Sequence, residues 1–243
     1  MLELTFHDLG IPFPLFRAPV TDATDYEGRG HCSLCHKEDA HCFQLGIGAD
    51  VVIRCPGCAA EVALNADNRS AGACQACKRQ LEFPDLGPSA ILACYSCLRA
   101  GRAALTKDTE LGMIRHEDAL RGVTFGAPDL DRPGFDLVPQ SDGWVGARLP
   151  TPSMLELVRT PGYSTIQGER WLFCCMVPMV YVGQWSREKF SEMAPDGNGR
   201  EFFHQTVRDT IDGLWEDQLH DTTGIYVFRC AMCRMYSAHW DMF

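Results

Sequence analysis

The residues of this 243-residue chain best suited to chemistry are its cysteines, ten of whose 13 fall into Cys-x-x-Cys pairs. Four pairs lie between residues 32 and 97: Cys32/Cys35, Cys55/Cys58, Cys74/Cys77 and Cys94/Cys97. A fifth, Cys230/Cys233, sits close to the C-terminus. Two residues between cysteines let a tight turn aim both sulfurs at one tetrahedral ion, with backbone amides beside the thiolates. A lone pair is compatible with a redox motif, whereas four in close succession point to structural zinc. Two zinc sites are expected in the first hundred residues, with Cys230/Cys233 as ligands for a third.

Spacing pairs some of these motifs and leaves others open. Cys58 and Cys74 are separated by 15 residues, within the C-x2-C-x15–20-C-x2-C pattern of zinc sites. Residues 45–90 therefore read as an inserted zinc ribbon. Cys32/Cys35 can close its site with Cys94/Cys97 or with Cys230/Cys233, and spacing does not separate these. His31, His36 and His41 flank the first pair and read as ordinary loop histidines. Cys174 and Cys175 read as buried core thiols, with a remote half-site as the alternative. Cys42 receives no role.

The elements that must hold these cysteines are short. Val51–Arg54 and Ala90–Ala93 are strands running into Cys-x-x-Cys turns, and Gln80–Phe83 is a return strand. Leu98–Leu105 is helical in composition apart from Gly101. Prolines at 12 and 14 make residues 10–16 an extended segment lying over a core. Residues 109–150 are rich in turn formers. Ser153–Arg159 reads as a short helix capped by Thr151 or Ser153, and Ser186–Met193 as another. Trp171–Val177 is an apolar run of strand length, bounded by Gly168 and Pro178. Phe203, Val207, Ile211 and Leu214 recur at helical spacing, so Arg200–Gln218 reads as one amphipathic helix. Gly224–Cys230 and Arg234–Trp240 form a hairpin around the last pair. The fold class expected is α+β: a small mixed or antiparallel sheet, a few helices, treble-clef-like knuckles and the inserted ribbon. It forms one domain over 1–243.

Composition narrows the function. The chain is 46% hydrophobic and 22% charged, that of an ordinary globular protein. It begins without a basic and apolar leader, and no apolar run reaches the ~20 residues of a spanning helix. A cytoplasmic location is expected, where a reducing environment favours metal over disulfides. The formal charge of −10 repels nucleic acid and attracts basic surfaces. Asp129, Asp131 and Asp136 cluster in one loop, and Asp209, Asp212, Glu216 and Asp217 stripe the outer face of the expected helix. These are the candidate partner-binding residues. A ribbon binding nucleic acid through Arg54, Arg69, Lys78 and Arg79 is the alternative, although no aromatic-and-basic run accompanies them. An enzyme is disfavoured. Cys230/Cys233 with Cys175 or His239 could leave a zinc position open, but no general base stands at helical spacing.

Several stretches together resemble the colicin-tolerance (CbrC-like) family. They are Cys32-Ser-Leu-Cys35, Ile91-Leu-Ala-Cys94-Tyr-Ser-Cys97-Leu-Arg-Ala-Gly101, Thr160-Pro-Gly-Tyr163, Gln167-Gly-Glu-Arg-Trp171, the Cys174-Cys175 region and Phe228-Arg-Cys230-Ala-Met-Cys233. The family pattern carries an acidic residue and a further cysteine shortly after Cys175, where this chain has Val177 and Met179. The resemblance implies a cytoplasmic, non-catalytic protein. Members are linked to tolerance of nuclease colicins, and relatives look like immunity proteins encoded beside toxin effectors of bacterial secretion systems. The partner so implied is a cognate toxin, a nuclease, with the zinc purely structural.

Overall fold

The computed structural model describes residues 3–211, 213–217 and 223–242. They form a mixed α+β structure of small antiparallel sheets and short helices. The chain divides into two compact units, Thr24–Gly162 and a second made of residues 1–23 with 163–243.

In the Thr24–Gly162 unit, β1 (Tyr26–Gly30), β2 (Ala40–Gln44) and β7 (Leu92–Cys94) make one sheet. Its register sets Cys42 opposite Cys94. A second sheet orders β4 (Glu61–Asn65), β3 (Asp50–Arg54) and β8 (Ala103–Ala104), and β5 (Gly72–Ala73) pairs with β6 (Gln80–Leu81). The helix expected over 98–105 is instead α1 (Tyr95–Arg99), which starts on Cys94 and is already over before Gly101 turns the chain at φ 69°. Glycine reaches that left-handed conformation without a Cβ penalty. The two alanines beyond it then pair as β8 with β3.

Residues 109–150 hold one helix that composition did not announce, α2 (His116–Arg121). Asp118 caps it from within, accepting the Arg115 amide at 3.0 Å. After it come β9 (Ala127–Pro128), β10 (Asp136–Pro139) and β11 (Trp144–Arg148), then α3 (Thr151–Leu157). The cap of α3 is Pro150, with no side-chain hydrogen bond, in place of the expected Thr151 or Ser153. A proline at N2, Pro152, has no amide that a cap would have to satisfy. Arg99 on α1 grips Glu156 on α3.

The other unit is built on the sheet of β14 (Val180–Gln184), β15 (Thr223–Arg229) and β16 (Tyr236–Met242). β12 (Phe173–Cys174) and β13 (Val177–Pro178) form a separate hairpin, so the apolar run does not make the single central strand expected of it. The reason lies in Cys175 and Met176, whose φ values of 52° and 64° reverse the chain. The N-terminal segment docks through Arg17 and Leu15, which exchange backbone hydrogen bonds with Tyr181 at 2.9 Å. Phe6, Phe13 and Phe16 are buried with it.

The long helix expected over Arg200–Gln218 is also broken. α4 (Arg187–Met193), capped by Ser186, is followed by α5 (Gly199–Thr206), where helix stops. Val207 is extended and bridges to Ala238, and the Arg208 amide donates to the Ala238 carbonyl at 3.0 Å. Asp209 at φ 54° and Gly213 at φ 85° turn the chain again before α6 (Leu214–Asp217). Phe203, Val207 and Leu214 enter the core as their spacing suggests, but Ile211 is 48% exposed. Sheet pairing with β16 thus overrides helical periodicity. Asp209 and Glu216 no longer share a helix face; Asp212 and Gln218 lie outside the described residues.

Beside β15 and β16 lie two buried polar pairs. The Tyr163 hydroxyl lies 2.8 Å from His239 Nε2, and Tyr226 donates to Asp241 at 2.9 Å. Burial, then the charges of Arg170 and Arg208, push the His239 pKa down to about 4. The unfolded imidazole, at an ordinary value near 6.5, binds a proton that the native one refuses, so stability rises with pH between them. Urea unfolding should therefore lose up to about 3 kcal/mol of stability between pH 6.5 and 4. His239→Gln should flatten that dependence; an equal slope in both proteins would count against a depressed His239.

Candidate metal centres

Four of the five Cys-x-x-Cys turns repeat one backbone design. The amide of the residue after the second cysteine donates to the carbonyl of the first: His36 to Cys32, Ala59 to Cys55, Lys78 to Cys74 and Arg234 to Cys230, at 2.7–3.1 Å. The first cysteine's amide in turn reaches the carbonyl one residue further on, at Lys37, Ala60, Arg79 and Met235. Each residue after the second cysteine has a φ of 58–67° and is not glycine. Such left-handed residues cost about 1–2 kcal/mol each. The gain is a loop with both sulfurs and several amides facing one point. The fifth turn, Cys94/Cys97, departs from this because Cys94 is the N-cap of α1.

These turns assemble into three groups of four cysteines, each with all four sulfurs within 4.8 Å of one another. Cys32, Cys35, Cys94 and Cys97 form the first, which resolves the pairing that spacing left open. A knuckle supplies one half and the start of α1 the other. Cys55, Cys58, Cys74 and Cys77 form the second from two knuckles, between β3 and β4 and between β5 and β6. Cys174 and Cys175 join Cys230 and Cys233 in a third. These two were expected in the core of a strand, yet Cys175 is exposed at the tip of the β12–β13 hairpin. The doubled cysteine before Met-Val-Pro is a weak signal, because nothing in it announces a turn.

The donor sets fit a tetrahedral ion. Metal–sulfur bonds of about 2.3 Å imply sulfur–sulfur edges of about 3.8 Å. Two of the six edges in each group lie at 3.7–3.8 Å in the first, 3.5 Å in the second and 3.5–3.8 Å in the third, and all six stay within 4.8 Å. A disulfide would need about 2.05 Å, and all 13 cysteines are free thiols. All three clusters can hold metal ions, and all-thiolate tetrahedral sets are the kind that structural zinc takes.

Each cluster also contains sulfur readied as a thiolate, and in the second both Cys55, chiefly through the Gly57 amide, and Cys74 are lowered. Burial opposes ionisation of Cys32, but the amides of Cys94, Cys35 and Leu34 outweigh it and hold the thiol at about 7. The Cys77 amide leads in lowering Cys74 to about 6. The Met235 amide, helped by the Cys230 and Cys174 sulfurs, lowers Cys233 to about 7. Burial meanwhile drives Cys97 and Cys174 well above the ordinary thiol value. The remaining protons must therefore leave as the metal enters.

Neighbouring candidates are occupied elsewhere. His31 bonds Glu38 at 2.8 Å and His41 bonds Tyr26 at 2.6 Å; neither they nor His36 belong to a cluster. Cys42 is buried beside Cys94, where burial and the neighbouring sulfurs push its pKa up to about 11. It stays a neutral thiol. Arg102 Nη1 donates to Cys97 Sγ at 3.7 Å, adding positive charge to the first cluster.

A protein of short strands and turns, with three four-cysteine clusters, is of the thiol-clamped α+β class. The family model of UPF0167, described as an uncharacterised protein family, matches residues 64–242, and the chain belongs to that family. All of the third cluster lies inside the match, whereas Cys32, Cys35, Cys55 and Cys58 precede it. The chain is 33% identical over 94 residues to UPF0167 protein PA1536 of Pseudomonas aeruginosa, covering 35% of this chain and 47% of the relative. It thus spans about half the length of the curated relative it matches. No solved structure matches.

The second cluster is the severest test of a structural role. The core cluster around it holds just Cys55, Val62, Leu64, Cys74 and Leu81, with Ile53, Ala60 and Phe83 packed on them. Units below about 40 residues with so small a core need disulfides, metal or oligomerisation to stay ordered. Cys74→Ser should lower bound metal by one ion per chain and open residues 50–81 to limited proteolysis. The rest of the chain should stay resistant. Unchanged metal content, by elemental analysis, would remove this cluster from the set.

Proposed function

We propose that this protein is a non-catalytic, zinc-clamped immunity protein of the cytoplasm, which neutralises a cognate antibacterial toxin with a basic nucleic-acid-binding cleft. In this reading the second cluster is a zinc ribbon and the first a treble-clef-like site. The observation that carries the proposal is the saturation of each cluster by four thiols. A catalytic zinc keeps a position open for water or substrate, and four thiols within 4.8 Å of one another leave none on a tetrahedral ion.

Saturation has an electrostatic consequence. A zinc ion held by four thiolates carries two net negative charges, so the first two sites alone take the formal charge from −10 to −14. Asp129 and Asp131 stand exposed on the loop between β9 and β10, with no ion pair among the described residues. Asp209 is exposed as well. Asp136 is exposed but paired with Arg148 at 3.0 Å, and Glu216 with Arg200 at 2.9 Å. Asp212 lies outside the described residues, and for Asp217 only the backbone is described. An acidic surface of this kind speeds association with a basic cleft and blocks phosphate binding there. The resemblance to colicin-tolerance proteins points the same way.

The basic residues of the ribbon do not favour a nucleic-acid partner. Arg69 is engaged by the carbonyls of Gly87 and Ser89, and Arg79 packs over Gly57.

The test is survival. Cells expressing the toxin encoded beside this gene should grow when this protein is co-expressed and die when it is not. The Asp129→Lys/Asp131→Lys double variant should associate about tenfold more slowly at low salt and nearly normally at high salt. Absence of protection by the wild-type protein overturns the proposal.

A further inference from the structure

We propose that Cys174, Cys175, Cys230 and Cys233 form a third zinc site, and that it is the exchangeable one of the three. The inference rests on the zinc reading above and extends it to a cluster whose two halves lie 55 residues apart at their nearest, from Cys175 to Cys230.

Its first half is indistinguishable in backbone design from the other knuckles. Arg234 donates to the Cys230 carbonyl at 3.1 Å, the Cys230 amide reaches the Met235 carbonyl at 2.9 Å, and Arg234 takes a φ of 67°. The other three turns with this design each contribute two sulfurs to a four-thiol cluster. A hairpin between β15 and β16 has no need of so many left-handed and cross-turn features; a two-residue Asn-Gly turn would suffice.

The second half is a two-residue turn of the primed kind, with Cys175 and Met176 both at positive φ. Such turns favour Asn-Gly, and residues bearing a Cβ are disfavoured there. Strain of this sort persists where surrounding structure over-determines it. Here it serves to bring the sulfurs of adjacent residues together, since neighbours along a strand point to opposite faces. Cys174 Sγ consequently lies 3.8 Å from Cys175 Sγ and 3.5 Å from Cys233 Sγ. β12–β13 is a sheet of its own, unpaired with β14–β15–β16. An ion bound here would tie that hairpin to the β15–β16 turn.

Exchangeability follows from exposure. In the first cluster three of the four cysteines are buried, in the second two, and in the third Cys230 alone. Met232 and Met235, which bracket Cys233, are 70% and 66% exposed, so nothing among the described residues covers this side of the site. A chelator or competing thiol reaches an exposed sulfur first.

The experiment uses the full-length protein loaded with zinc, with native mass spectrometry to count ions on the folded species. A chromophoric chelator then reads the release rate. The expected result is three zinc ions in the wild type and two in Cys175→Ser and in Cys230→Ser. One wild-type ion should leave at least about tenfold faster than the others, and that fast phase should vanish in both variants. Two ions in the wild type, unchanged by Cys175→Ser, overturn the third site while leaving the first two standing. Three ions released at a single rate overturn its exchangeability. No zinc at all overturns the metal reading as a whole. Folded charge states in the same spectra distinguish a lost ligand from a misfolded variant.

Discussion

The constraint on which this structure depends is the convergence of four sulfurs to within bonding reach of one ion. Two thiolates about 3.7 Å apart repel by roughly 4 kcal/mol at the effective dielectric of a protein surface, so a cluster of four is unfavourable as bare anions. A divalent ion reverses the sign. Little else in the sheets around the clusters could do the same work: apart from β15 and β16, no strand exceeds five residues, and no sheet among the described residues has more than three strands. Backbone amides make the first concession by lowering at least one thiol pKa in each cluster.

One half of each cluster is constant and the other varies. The repeated knuckle at Cys32, Cys55, Cys74 and Cys230 works wherever two strands or extended segments meet. Its partner is a helix start, a second knuckle or a strained two-residue turn. The burial of each cluster follows from that choice. At the helix start Cys94, paired to β2, and Cys97, within α1, are both buried, whereas Cys175 at its turn is exposed. A protein can in this way hold several ions by one local device and give each a different accessibility.

The same residues that hold the fold together shape its field. All-thiolate coordination of zinc would add negative charge to a chain that is already acidic, at points fixed by the backbone. No helix among the described residues is long and apolar enough to cross a membrane. In the proposed reading, rigidity conferred by bound ions would suit a partner of opposite charge, because ordering costs are met before association.

Much of the metal chemistry was legible in the sequence because a Cys-x-x-Cys turn is a local object, complete within about six residues. The ribbon spacing, the hairpin around Cys230 and Cys233, and the short α+β character are local in the same sense. What required the tertiary structure was every relation across distance. Cys32 and Cys35 could have met either of two remote pairs, and only the pairing of β2 with β7 brings Cys94 to them. Cys174 and Cys175 looked like core because hydrophobic runs carry no sign of a turn made by non-glycine residues at positive φ. The periodicity of Phe203, Val207, Ile211 and Leu214 was real, yet a bridge from Val207 to Ala238 was worth more than continued helix and split the acidic stripe. The sequence by itself therefore determined the paired cysteines and the local geometry of their turns, but not Cys174 and Cys175. Tertiary structure decided which of them bind together, because strand pairing and chain reversal depend on partners far away in the chain.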